Sequence, residues 1–198
     1  LLASVLDRSE IRAYDDIRPA IAAGLVDDTE TDLRFRHALV RQALIDDLPG
    51  PVLRSLHRSI ADAADDAVAV VHLELAGAPF TEADLDRIAD RAHDLMRVDG
   101  RRSADLFELV LEHRDDTAAR AGLVRALLQA GEVRRARVEI EHITNRTDEL
   151  AAGLALLEVQ GAVDEADPEL IAHLWEVAER TSSGPELAAT QRLLAYQA

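Results

Sequence analysis

Few side chains in this 198-residue sequence could do chemistry, and the candidates are histidines and arginines. His37 stands where the alternating run Leu33-Arg34-Phe35-Arg36 gives way to Val40, Ala43, Leu44 and Leu48 at helical spacing. An imidazole at such a strand–helix junction reads as a capping histidine. His57 shares a stripe with Leu53, Leu56 and Ile60, and His72 lies in the apolar run Ala67 to Leu75. Both read as partly buried core histidines whose ring nitrogens bond to backbone.

Glu139 and His142 form a Glu-x-x-His pair on one helix face. A carboxylate-bridged metal centre needs a second such pair and further Glu residues on neighbouring helices. None stands at matching spacing, so the pair reads as a solvated face and no metal ligand is assigned. Arg120, Arg125, Arg134, Arg135 and Arg137, with Arg114 just before them, gather in a span whose acids are Asp115, Asp116 and Glu132. This basic patch could face an anionic partner or an acidic neighbouring domain; surface salt bridges are the alternative. The sequence has no GxxxxGK[ST] phosphate loop, no GxGxxG after a strand, and no G-x-S-x-G elbow. No catalytic residue is assigned, and the expectation is a non-enzymatic segment without a cofactor of its own.

Bulk composition limits what must position these residues. Apolar residues make up 48% of the chain and aromatics only 3%, so Ala and Leu carry the core. Such a core suits close-packed helices better than a β-sandwich. The formal charge is −16, and every basic residue is Arg. Residues 1–50 alone hold six Arg against ten Asp plus Glu, a net of −4. Phosphate backbones demand a basic face, so no DNA contact is expected. There is no cysteine, no signal segment and no apolar run of membrane length, which places the expected location in the cytoplasm. Leu1-Leu2-Ala3-Ser4-Val5-Leu6 reads as the tail of a running helix, as in a piece of something larger.

Taken in order, Ser9-Glu10 can cap a short helix, and Pro19 fits the first turn of another that Gly24 closes. Residues 24–28 and 33–37 read as two short strands around a polar turn. Pro49-Gly50-Pro51 stops one helix and opens the next. From residue 65 onward the strand signals vanish. Gly77 ends an apolar helix, and Thr81 caps one carrying Leu85, Ile88, Ala92 and Leu95 that stops at Gly100. Further helices carry Ala104, Phe107, Val110 and Leu111, then Ala119, Leu123 and Leu127, then Ala136, Ile140 and Ile143. Leu150, Leu154 and Leu157 form another stripe, and Ile171, Leu174, Trp175 and Ala178 another, before a last helix with Leu187 and Leu194. Gly100, Gly131 and Gly161 are 31 and 30 residues apart, near the length of a two-helix repeat. Leu123, Leu127, Gly131, Ala136 and Ile140 match tetratricopeptide spacing, with aliphatics at the aromatic positions.

The run Phe35-Arg36-His37-Ala38-Leu39-Val40-Arg41-Gln42-Ala43-Leu44, then Leu56-His57-Arg58-Ser59-Ile60-Ala61 and Val71 to Gly77, resembles the region after the ATPase core in large ATP-binding LuxR-type (MalT-like) regulators. These are signal-transduction ATPases of the STAND class. The resemblance spans Leu1 to about His113 and becomes a generic match to paired-helix repeats beyond. It implies an all-α chain with one small β wing: a winged-helix domain over 1–64 and a tetratricopeptide-like α-superhelical array over 65–198. It implies ATP or ADP in the full-length protein, a neighbouring nucleotide-binding domain of the same chain as partner, and an inducer or protein partner on the array. In related STAND ATPases a winged-helix histidine in a Met-His-Asp setting touches the ADP phosphate. Here the setting is Arg36-His37-Ala38, so Arg36 and His37 become candidate nucleotide-sensing residues. A free-standing helical-repeat adaptor without a nucleotide switch is the alternative expectation.

Overall fold

A computed structural model describes residues 2–29, 32–143, 153, 168–181, 190–191 and 194–195. Among these residues the chain is mostly helical, with one two-stranded antiparallel sheet. It divides into two compact units, Leu1–Asp84 and Leu85–Ala198.

The first unit begins with α1 (Leu2–Val5) and α2 (Glu10–Ala22). The expected break before Pro19 does not occur: α2 is one helix of 13 residues with Pro19 inside its last turn. Proline's fixed φ fits a helix, and so close to the end only one amide bond is forfeited. Gly24, at φ +71°, then stops the chain, with Leu25 N–H bonding to the Ala20 carbonyl and Gly24 N–H to that of Ile21. Strands β1 (Val26–Asp28) and β2 (Leu33–Phe35) pair antiparallel, Val26 opposite Phe35 and Asp28 opposite Leu33. Next come α3 (Ala38–Asp46), α4 (Gly50–Ala63) with Pro51 in its first turn, and α5 (Asp66–Ala76), whose N-cap Asp65 accepts from Val68 N–H at 3.2 Å.

The core of this unit is the α4–α5 hairpin. Ala61 and Ala69 are both fully buried, and side chains that small let the helices approach closely around Val70, Leu73 and Ala76. Burying each of the larger two is worth about 1.5–3 kcal/mol. The stripe expected from α4 differs: Leu53, Leu56 and Ile60 are only half-buried, and Ala61 is the residue fully inside. Helix α3 departs further, because it buries no residue at all; Leu44 and Leu48 of its expected core face stay exposed. Periodicity marked an apolar face there, and among the described residues it leaves Ala43, Leu44 and Leu48 exposed and Val40 half-buried.

Helix α6 (Glu82–Leu95) starts in the first unit and runs into the second, where Leu85, Ile88 and Ala92 are buried. The second unit continues with α7 (Gly100–His113), α8 (Thr117–Gln129) and α9 (Val133–Ile140), α8 packing on both neighbours, and with α10 (Pro168–Thr181). Phe107, Val110, Leu123, Leu127, Ala136 and Ile140 fill the interior of the stack. Around α10, Ile171, Leu174, Val177, Ala178 and Leu194 form a buried cluster edged by Trp175.

The glycine spacing does not mark equivalent turns. Gly131 does close α8, at φ +76°, but Gly100 opens α7 behind the N-cap Asp99 instead of ending α6. Its requirement is closeness: a Cβ on Gly100 would come within 3.0 Å of the Ala126 carbonyl oxygen and the Ala130 nitrogen. Gly161, Leu187 and the stripe of Leu150, Leu154 and Leu157 lie outside the described residues.

Candidate functional site

The hairpin–α3 junction carries the two residues singled out for nucleotide sensing. Arg36 is anchored within the hairpin: its N–H bonds to the Leu25 carbonyl at 3.0 Å, and its guanidinium grips Asp27 Oδ1 through Nη2 at 2.6 Å and Nε at 3.0 Å. That bond from Arg36 holds the Asp27 carboxyl below its usual range and raises the Arg36 guanidinium further. Arg36 is thus already neutralised.

His37 occupies the N-cap of α3 in an extended conformation, φ −127° and ψ 124°. Its carbonyl accepts from Val40 N–H at 3.1 Å and Arg41 N–H at 3.3 Å, so backbone alone performs the cap. The imidazole makes no capping bond and is exposed. In the same stretch of chain, Leu25, Leu33 and Phe35 of the hairpin segment and Leu39 and Leu44 of α3 are exposed, Leu39 at 83%.

His57 and His72 do not bond to backbone as expected; they bond to each other. His57 Nδ1 on α4 meets His72 Nδ1 on α5 at 2.7 Å, with ring centroids 4.9 Å apart. A helical hairpin explains it. His57 lies seven residues before Ala64 and His72 seven after Asp65, the two turn residues, so antiparallel packing sets them opposite each other. That equal spacing about a turn was the signal available in the sequence.

A second tie leaves α4 one residue further on. Arg58 Nη1 bonds to Asp84 Oδ2 at 2.7 Å and Nη2 to the Pro79 carbonyl at 2.8 Å. Asp84 also accepts from Thr81 N–H at 2.8 Å while Thr81 Oγ1 accepts from Asp84 N–H at 3.2 Å, a reciprocal cap on α6. Asp84 is 7% exposed. Burial works against its charge, but the bonds from Thr81 and Arg58 outweigh it and hold the carboxyl below its usual range.

The arginine cluster is largely turned onto its own unit. Arg120 bonds to Glu139 at 2.9 Å, and Arg135 to Glu132 at 2.6 Å and to Glu108. Arg125 Nε donates to the Ala121 carbonyl of its own helix, while Arg134 and Arg137 are exposed. Arg114 pairs with Asp86 and with Asp116, both at 2.7 Å, and Asp116 caps α8 by accepting from Ala119 N–H. Glu139 is thereby occupied, and the His142 ring lies 2.9 Å from the Val138 carbonyl of its own helix. Among the described residues no three His, Asp or Glu side chains converge on a metal position. Nor is any helix among them long and apolar enough to cross a membrane. Compared with protein-family models, curated proteins and solved structures, the chain matches none.

Proposed function

We infer that this chain is an internal coupling segment of a STAND-class LuxR-type transcriptional regulator of the cytoplasm. Its first part acts as a winged helix that docks on a neighbouring nucleotide-binding domain. Its second acts as a tetratricopeptide-like array that receives an inducer or protein partner. The observation that carries the reading is the hairpin–α3 segment, where Phe35, Leu39 and Leu44 are exposed and the exposed His37 ring makes no capping bond. Large apolar side chains left exposed along one short segment suit a surface that another protein part covers. It adds to the resemblance of residues 35–44, 56–61 and 71–77 to that region of the LuxR-type regulators.

In this reading Arg36 shapes the hairpin through Asp27, and His37 is the one group of the pair offered outward. Docked on the ATPase core, its imidazole donates one hydrogen bond to a phosphate oxygen of ADP and holds the closed state. Charge-assisted bonds of that type contribute about 1.5–3 kcal/mol. Losing about 1.4 kcal/mol shifts the closed-to-open ratio tenfold, enough to raise activity without inducer. In the full-length protein, His37→Ala should weaken ADP binding and give inducer-independent reporter expression. Unchanged ADP affinity with only a lower melting point would make His37 a structural cap.

The free-standing adaptor reading draws on the second unit, where α8 packs on both α7 and α9 as a repeat array does. The coding sequence on either side separates the two. A phosphate loop upstream and a helix-turn-helix downstream support the regulator, and the lack of both supports the adaptor.

A further inference from the structure

The contact between His57 and His72 has a proton requirement that the rest of the fold does not explain. Two imidazole nitrogens 2.7 Å apart need one proton between them: one Nδ1 donates, the other accepts through its lone pair. Protonating both rings sets donor against donor and charge against charge. We propose that the His57–His72 pair is a proton-operated latch on the α4–α5 hairpin, closed while one proton is shared and opened by the second.

The latch sits where it can matter, since this hairpin buries Ala61, Ala69, Val70 and Leu73, the core of the first unit. The charged groups nearby do not compensate a second proton. On α4, Arg58 is turned to Asp84 and the Pro79 carbonyl, and Arg54 and Asp62 are exposed. At α5, Asp65 accepts from Val68 N–H, and Asp66 and Glu74 are the helix's own acids. Helix α1, which packs on α4, carries no titratable side chain, and in the first turn of α6 Asp84 is held by Arg58 and Thr81 beside Glu82. Of all these, only His57 acts on His72 by its charge; burial first and that charge second push the His72 imidazole below its ordinary 6.5.

The sign follows from linkage. A histidine whose folded value lies below its unfolded one binds its proton more readily in the unfolded chain. Its stabilising contribution is therefore complete above about pH 6.5 and is lost as the pH falls through the lower, folded value. Mild acid should loosen this hairpin before it touches the carboxylate pairs, which titrate lower.

Imidazole resonances recorded across pH, together with thermal unfolding of this chain, test the latch. The pair should take up its two protons in separated steps, and the melting temperature of the first unit should drop by about 4–8 °C between about pH 7.5 and about pH 5. His57→Asn supplies a carboxamide that can donate to a neutral ring or accept from a protonated one. That variant should stay near the native melting temperature at about pH 7.5 and show a smaller acid-dependent drop, the part due to burial of His72 remaining. Two independent single-step titrations near the ordinary value would overturn the proposal. So would a His57→Asn chain that loses as many degrees as the native one. If the variant does not fold, the native titration decides alone.

Discussion

Gly122 of α8 lies against the ring of Phe107 on α7, so closely that a Cβ added there would stand 2.4 Å from Cζ. Phe107 is fully buried, and its ring also meets that of His93 in a T-shaped contact with centroids 4.9 Å apart. The absent side chain on α8 is what lets α7 and α8 pack at this distance. Gly122→Ala should force the pair apart and cost about 1–3 kcal/mol, as overpacked cores do. A thermal melt checks it, and combining the change with Phe107→Leu should restore part of the loss.

Gly131 works for a different reason. It stands at φ +76° with nothing within 4 Å of where a Cβ would go, so only backbone strain opposes a side chain. Gly131→Val should destabilise by about 1–2 kcal/mol, and Gly131→Asn by less, because Asn tolerates the left-handed region. Equal losses for the two variants in urea unfolding would show that space, not strain, sets the requirement.

The Arg58–Asp84 pair predicts behaviour in acid. Because its bonds hold the Asp84 carboxyl below 3.8, the unfolded chain binds that proton more readily than the folded one. The pair's contribution is therefore complete above about pH 4 and is lost as the pH falls below it. Asp84→Ala should cost about 1–3 kcal/mol near neutrality, since it leaves both Arg58 and Thr81 N–H without this acceptor. The gap between variant and native chain should narrow as the pH drops below about 4, and a gap that stays constant would assign the loss to packing.

The chain by itself should bind neither ATP nor ADP, because a phosphate loop is missing from its sequence and His37 is at most one contact. Calorimetry detecting micromolar nucleotide binding would contradict this. Duplex DNA should likewise be ignored at physiological salt, given a formal charge of −16. A gel shift that weakens steeply with added salt would revive a DNA-reading winged helix.

Local chemistry was legible in the sequence. Gly24, Gly77 and Gly131 end helices at positive φ, Pro51 opens α4, Thr81 caps α6, and the Leu33–Phe35 alternation pairs as β2. Each of these depends on a handful of adjacent residues, because a cap or turn satisfies backbone groups within one helical turn. Pro19 was the local exception: its position near the helix end, visible only with the whole of α2, decided that it continues the helix.

Tertiary structure decided which of the marked faces are covered and which charges meet. Both α3 and α6 carry apolar residues at helical spacing, yet α6 buries Leu85, Ile88 and Ala92 while no residue of α3 is fully buried. The E-x-x-H pair and the arginine cluster resolve into Arg120–Glu139 and Arg135–Glu132 bonds, and His57 finds His72 instead of a carbonyl. Periodicity states that a face is apolar, and composition that a group is charged, but neither names its neighbour. That is set by which helices pack together and at what separation, a property of residues far apart in sequence.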